Sequence, residues 1–339
     1  MIICTTASLS KLPQALELAR SVKAYHPEAK FVLGLIEEWV PESTAQSPWF
    51  DEVIQIKDIG IPHFRTFMFK LSATQAHDAV VGHLIVYLTS YDPHADSVIF
   101  LEHTMRLYGP LREVIDALTG HSIVLTPHLS GPNLAVSLEQ EIKLHQTGSF
   151  NDGFIGVRRS KESKSFLTWW ADKLYRDSYE FHDRSQQWLD LVPVLFHPFI
   201  IRQPGIHMAC WNLHEPSRQI TTVEADWASI VGGPMRCFNY RDEHNEFEES
   251  LYRLAPLQAE QARKLLQQYQ VACQGHEAQG FNRETVWSYD YYYNGERISE
   301  EARNIYRVNE DRHVLGDPYA WSNKHIIDGI EGQNPAPIS

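Results

Sequence analysis

The 339-residue sequence has only four cysteines, Cys4, Cys210, Cys237 and Cys273, and no two of them stand at CxxC spacing. A disulfide framework or a cysteine zinc site is therefore not what organises the chain, and free thiols in a reducing compartment are the expectation. Basic charge is also short. Thirty Lys and Arg face 43 Asp and Glu, a formal charge of -13 that opposes the phosphate attraction dominating nucleic-acid binding, so nucleic acid is not an expected partner. No apolar run is long enough to span a bilayer, so no transmembrane segment is expected, and the opening MIICTTASLS lacks the basic start and long apolar stretch of a secretory signal. The expected location is cytoplasmic. No GxGxxG follows the first apolar run, which argues against a dinucleotide-dependent enzyme, and the 17 histidines include no HExxH or other metal-ligand spacing.

What the sequence does have is alternation. Short apolar runs at 2–5, 31–36, 53–56, 98–101 and 123–126 read as strands, and helical patterns lie between them. Leu12, Ala15, Leu16, Leu18, Ala19 and Val22 recur at helical spacing, with Ser10 and Pro13 supplying the helix start. This order predicts an α/β fold with a mostly parallel sheet covered on both faces. After Pro127 the chain becomes irregular and rich in His, Pro and Trp, around one helix that starts near Ser160 and runs through Phe166, Leu167, Trp170 and Leu174. A second helix is expected over 257–271, and the tyrosines at 289, 291, 292 and 293 read as packing residues. The expected organisation is one core over 1–250, with halves 1–127 and 128–250. An extension at 251–332 packs on that core, and a flexible tail covers 333–339.

Ligands of an open parallel sheet bind beyond the carboxyl ends of its strands, where connections diverge and helix N-termini point inward. Three such ends carry polar residues. They are Thr5, Thr6, Ala7 and Ser8; Glu37 and Glu38; and Glu102, His103 and Thr104.

Seven segments then carry a family likeness in order: ICTTASLSKLPQALELARSVKAYHPEAKF, SVIFLEHTMRLYGPL, HSIVLTPHL, FNDGFIGVRRSKES, QQWLDLVPVLF, MACWNLHEPS and YYYNGERISEEARNIYR. Together they resemble bacterial glycosyltransferases of the GT-A fold, similar in plan to glycogenin and the lipopolysaccharide galactosyltransferases, over nearly the whole chain. The resemblance implies a GT-A-like, Rossmann-type core with a helical and irregular C-terminal extension. It also implies a nucleoside-diphosphate sugar as donor, UDP-linked sugars included, a glycan or lipid-linked acceptor, and retention of anomeric configuration.

The sequence departs from that family at charged positions. The family's Asp-x-Asp reads Glu102-His103-Thr104, its late-strand histidine reads Asn239, its Asp-Gln pair reads Ser185-Gln186, and a lysine before the strand-end motif reads His77. The expectation is a donor site made of Thr5, Thr6, Ala7, Glu37, His77, Glu102, His103 and Thr104, with no cofactor and no divalent ion. Other cations or helix N-termini would then neutralise the diphosphate. Arg65, Arg106 and Arg241 are the candidate cations, each with a surface ion pair as the alternative role. By the resemblance, Asn151 and Gln186 line the reacting sugar. Asp152 either supports positive charge there or belongs, with Asn151 and Gly153, to a tight turn before a strand at 154–157. His128, Trp211, Asn212 and His214 are the acceptor-cleft residues, with His214 a possible base. Two functions stay open: a metal-independent hexosyltransferase of polysaccharide biosynthesis, and a catalytically degenerate relative that binds or scaffolds.

Overall fold

The computed structural model describes residues 1–93, 95–132, 138–177, 185–242, 246–281, 286–308 and 317–320. The tail expected at 333–339 lies outside them. In chain order the strands are β1 (Ile2–Ala7), β2 (Lys30–Leu35), β3 (Glu52–Gln55), β4 (Ser97–Leu101), β5 (Met105–Leu107), β6 (Ile123–Pro127), β7 (Phe150–Arg158), β8 (Phe199–Ile200), β9 (Met208–Ala209), β10 (Ile220–Val223), β11 (Ala228–Ile230), β12 (Gly233–Pro234) and β13 (Cys237–Asn239).

Seven of them form the central sheet in the order β3-β2-β1-β4-β7-β6-β8. The β3-β2, β2-β1, β1-β4 and β6-β8 pairs are parallel, whereas β7 is antiparallel to both β4 and β6. The expected mostly parallel α/β sheet is present, with β7 the reversed member. Side chains alternate across β1: Ile2 and Cys4 join one buried cluster, and Ile3 and Ala7 join the other. The first cluster packs against the helices Phe64–Phe69, Ala73–Ala79, Val81–Tyr91 and Lys161–Asp177, and the second against Leu12–Tyr25 and Arg112–Gly120. Pro13 stands in the first turn of the Leu12–Tyr25 helix, where a missing N–H costs nothing.

Two small sheets complete the described strands, β10-β11-β12 and β5-β13-β9. The second matters for the site. It pairs Asn239 of β13 with Met105 of β5, and so brings the late strand against the segment that follows β4.

The alternative of a tight turn at Asn151-Asp152-Gly153 is corrected: all three residues lie inside β7. Pairing on both sides of the strand outweighs the local turn preference of Asn, Asp and Gly. On the β6 side Leu125 pairs with Ile155, but the next residue, Thr126, pairs with Asn151, so Asp152, Gly153 and Phe154 bulge from the ladder. On the other side Leu101 stays paired with Phe154, and the Glu102 N–H donates to Gly153 O at 2.8 Å.

The C-terminal residues pack on this body. The helix Ala259–Ala278 lies against Leu12–Tyr25, where buried Glu17 meets Arg20 at 2.8 Å, Arg106 at 3.0 Å and His276 at 3.3 Å. Trp287, Tyr289, Tyr292, Tyr306 and Tyr319 join the first core cluster, while Tyr293 is exposed. Arg303, fully buried, donates to Phe69 O, Leu71 O and Tyr289 O at 2.8, 2.6 and 2.8 Å, tying the helix Glu300–Val308 to the core. Among the described residues no helix is long and apolar enough to cross a membrane.

Candidate active site

The carboxyl end of β4 is where the expected residues meet. Glu102, His103 and Thr104 follow that strand directly, and each is fixed by a residue distant in the chain. Glu102 Oε2 accepts from Asn239 Nδ2 at 3.0 Å, and its Oε1 lies 3.6 Å from Arg241 Nη1. Thr104 donates to Asn239 Oδ1 at 2.9 Å, and the same oxygen accepts the Arg241 N–H at 2.8 Å. Asn239 thus bridges the β4 end to the residues after β13.

His103 lies on the other side of this segment. Its Nδ1 is 3.1 Å from Thr6 O, an acceptor only, so that nitrogen carries the proton. His77 packs edge-on against it with ring centroids 4.8 Å apart, and His77 Nε2 lies 3.2 Å from Ser8 Oγ. The Thr6 hydroxyl donates to His77 O at 3.4 Å. Burial, followed by the charges of Lys11 and Arg241, pushes the His103 ring down to about 3. His77 is held well below its ordinary value by burial, by His103, and then by the same two cations. Both rings are neutral at physiological pH. Thr5 and Ala7 are buried in the strand itself: Thr5 Oγ1 has no hydrogen-bond partner among the described residues, and Ala7 O accepts from Ile36 at 2.9 Å.

The β7 bulge supplies the next group. Asn151 Oδ1 accepts the Gly153 N–H at 2.9 Å, which shapes the bulge from within. A Cβ on Gly153 would stand 2.8 Å from both Asn151 Oδ1 and Glu102 Oε2, so only glycine lets these two polar side chains approach. Asp152 is buried and accepts from Ser185 Oγ at 2.7 Å. Desolvation raises its pKa, the Arg241 charge and the Ser185 hydroxyl oppose this, and Glu102 adds to it. The charge of Arg241, which pairs with Glu102, thus also favours the ionised form of Asp152.

A third group lies past the end of β6. His128 Nε2 stands 2.7 Å from Gln186 Oε1, and Trp211 presents its edge to the His128 ring at 5.9 Å. Burial pushes His128 down to about 4. Asn212 spends its amide on the backbone, donating to His128 O and His207 O at 3.2 Å each and accepting Ala209 N–H at 3.0 Å. It acts here as a bracket for the loop. His214 is half-buried on the following turn, and burial lowers its pKa, which weakens it as a base. Beside this group a cavity of about 410 Å³ is lined by Pro127, Leu129, Ser130, Ser149, Phe150 and Arg202, among others.

One expected donor residue faces elsewhere. Glu37 Oε1 accepts the Leu9 N–H at 3.0 Å and Oε2 the Ser288 N–H at 2.9 Å, so its carboxylate latches the C-terminal segment to the sheet.

Four residues of the site went unnoticed in the sequence. Asp78 lies 3.7 Å from Arg241 Nη2. Arg218 and Glu215 form a buried pair at 2.6 Å, and Glu215 also accepts from Ser130 N and Oγ at 2.9 and 2.8 Å. His207 adopts φ 52°, a left-handed conformation rare outside glycine, while its carbonyl accepts from Arg218 at 2.9 Å. The i,i+3 spacing of Glu215 and Arg218 was a visible signal; Asp78 and His207 offered none.

No protein-family profile and no curated protein matches the sequence. Several solved structures are similar to it. The galactosyltransferase LgtC, in complex with donor and acceptor sugar analogues, is 15% identical with TM-score 0.43, over 75% of this chain and 96% of that one. A glycosyltransferase involved in glycosylation of the major capsid of PBCV-1 is 10% identical with TM-score 0.43, over 74% and 98%. The glycosyltransferase GlyE of Streptococcus pneumoniae TIGR4 is 12% identical with TM-score 0.43, over 84% and 65%.

Proposed function

We propose that the protein is a glycosyltransferase that moves a sugar from a nucleoside diphosphate to a glycan or lipid-linked acceptor without a resident divalent ion. The observation that carries this reading is the convergence of three separate chain segments at the carboxyl end of the sheet. The β4 end brings Glu102, the β13 end brings Asn239 and Arg241, and the β7 bulge brings Asn151 and Asp152. A side cavity next to His128 and Gln186 offers room for an acceptor.

The donor set suits a divalent ion poorly. Hard cations take several oxygen ligands, carboxylates foremost. Glu102 already receives the Asn239 amide, and Asn239 Oδ1 receives both Thr104 and Arg241. In the transfer itself the bond from the anomeric carbon to the diphosphate oxygen breaks, and the acceptor oxygen bonds to that carbon. The acceptor proton leaves with the departing phosphate or to a carboxylate. Asp152, oriented by Ser185, is the carboxylate we assign to support positive charge at the anomeric carbon.

The test is incubation with UDP-, GDP- and dTDP-sugars in EDTA, following release of the nucleoside diphosphate. Turnover is expected, and Asp152→Asn should lower kcat by about 100-fold or more while leaving donor affinity near wild type. Failure to bind or hydrolyse any of these donors, with or without manganese, would refute the assignment. A second reading, a non-catalytic binding or scaffolding subunit, draws on the way Glu102, Asn239 and Thr104 satisfy one another. Saturable donor binding without turnover would favour it.

A further inference from the structure

Three arginines were candidates to balance the charge of a diphosphate, and their surroundings separate them. Arg106 is buried: it lies 3.0 Å from Glu17 Oε1, donates to Ala225 O at 2.8 Å and covers the Tyr108 ring at 5.1 Å. Arg65 pairs with Glu38 at 3.2 Å and with Asp317 at 3.5 Å, between the Tyr293 and Tyr319 rings. It lines a different cavity, of about 320 Å³, with Glu38, Lys57 and His63.

Arg241 is placed otherwise. Its backbone is anchored, because its N–H donates to Asn239 Oδ1 at 2.8 Å. Its guanidinium stands between Glu102 Oε1 at 3.6 Å and Asp78 Oδ2 at 3.7 Å, with the side chain 22% exposed. Both separations exceed the roughly 2.7–2.9 Å of a charge-assisted hydrogen bond, so toward these two carboxylates the guanidinium acts through charge.

Resting on the reading of the cleft as a donor site, we propose that Arg241 is the built-in counter-charge for the donor diphosphate, doing there what a divalent ion bridging Glu102 would otherwise do. A guanidinium is permanently charged and offers phosphate oxygens a planar fork of donors. Its charge also reaches the rest of the site, since it opposes protonation of His77, His103, His128 and Asp152. Glu102 is held independently of the guanidinium, by its bond from Asn239.

The test is isothermal titration of wild type, Arg241→Gln and Arg241→Lys with UDP, GDP and dTDP and with the matching nucleosides, in EDTA and then in manganese. Thermal unfolding confirms that each variant is folded. The ratio of diphosphate to nucleoside affinity in EDTA should fall about 10- to 100-fold in Arg241→Gln and less in Arg241→Lys. A ratio within threefold of wild type in Arg241→Gln overturns the role of Arg241, as does wild-type diphosphate binding that appears only with manganese; in both cases the donor-site reading stands. Absence of any diphosphate binding by wild type under either condition overturns both.

Discussion

Acidification should destabilise this protein from just below neutral pH. Four buried imidazoles, His77, His103, His128 and His207, are held neutral by desolvation: His103 down to about 3, His128 down to about 4, and the other two well below the ordinary value. In the unfolded chain each returns to about 6.5. Because the folded pKa is depressed, the stability tied to the neutral ring is fully present above the unfolded pKa. It is lost as pH falls through the window from about 6.5 toward the folded values. Between pH 7 and 5.5 His103 and His128 each cost about 1.2 kcal/mol, and His77 and His207 lose stability in the same direction, so the loss is a large fraction of the stability of an ordinary domain. Glu37 and Asp152, whose carboxyls burial raises, act with the opposite sign and offset part of that loss, while His83, pushed down to about 4 by burial, adds to it. Urea unfolding at pH 7.0, 6.0 and 5.5 should show the midpoint falling steadily at constant slope. A stability at pH 5.5 within about 1 kcal/mol of that at pH 7 would refute the reasoning, as would imidazole C2-proton titrations near 6.5 for these rings.

Two further outcomes follow from packing alone. Arg303→Met removes the donors to four backbone carbonyls and takes from Asp290 its closer arginine partner, so it should cost about 3 kcal/mol or more; thermal unfolding near wild type would show that those carbonyls find other partners. Gly82→Ala places a Cβ 2.9 Å from Ala171 Cα, where the helices Val81–Tyr91 and Lys161–Asp177 meet, so the clash should outweigh the gain of about 1 kcal/mol in helix propensity. A raised melting temperature would contradict that close approach.

Sequence alone determined the parts of this protein that depend on neighbours along the chain. Alternating apolar runs located β1, β2, β3, β4 and β6 to within a residue or two, and helical spacing located Leu12–Tyr25 and Lys161–Asp177. These periodicities are local, because a half-turn or a pleat repeats every few residues. It also directed attention to the strand ends, since Glu102-His103-Thr104 follows an apolar run whatever the rest of the chain does.

Tertiary structure decided the remainder. Asn151-Asp152-Gly153 has the composition of a turn, yet β4 and β6 flank it and draw it into a bulged strand. Glu37 looked like a donor ligand until Ser288, 251 positions away, took its carboxylate. Arg65, Arg106 and Arg241 are alike as letters, and what distinguishes them is which carboxylate the fold brings within reach: Glu38, Glu17 or Glu102. The physical reason is common to all three cases. A charge or a hydrogen-bonding group takes its role from partners a few ångströms away, and in a parallel sheet with crossover helices those partners are dozens to hundreds of residues distant in the chain.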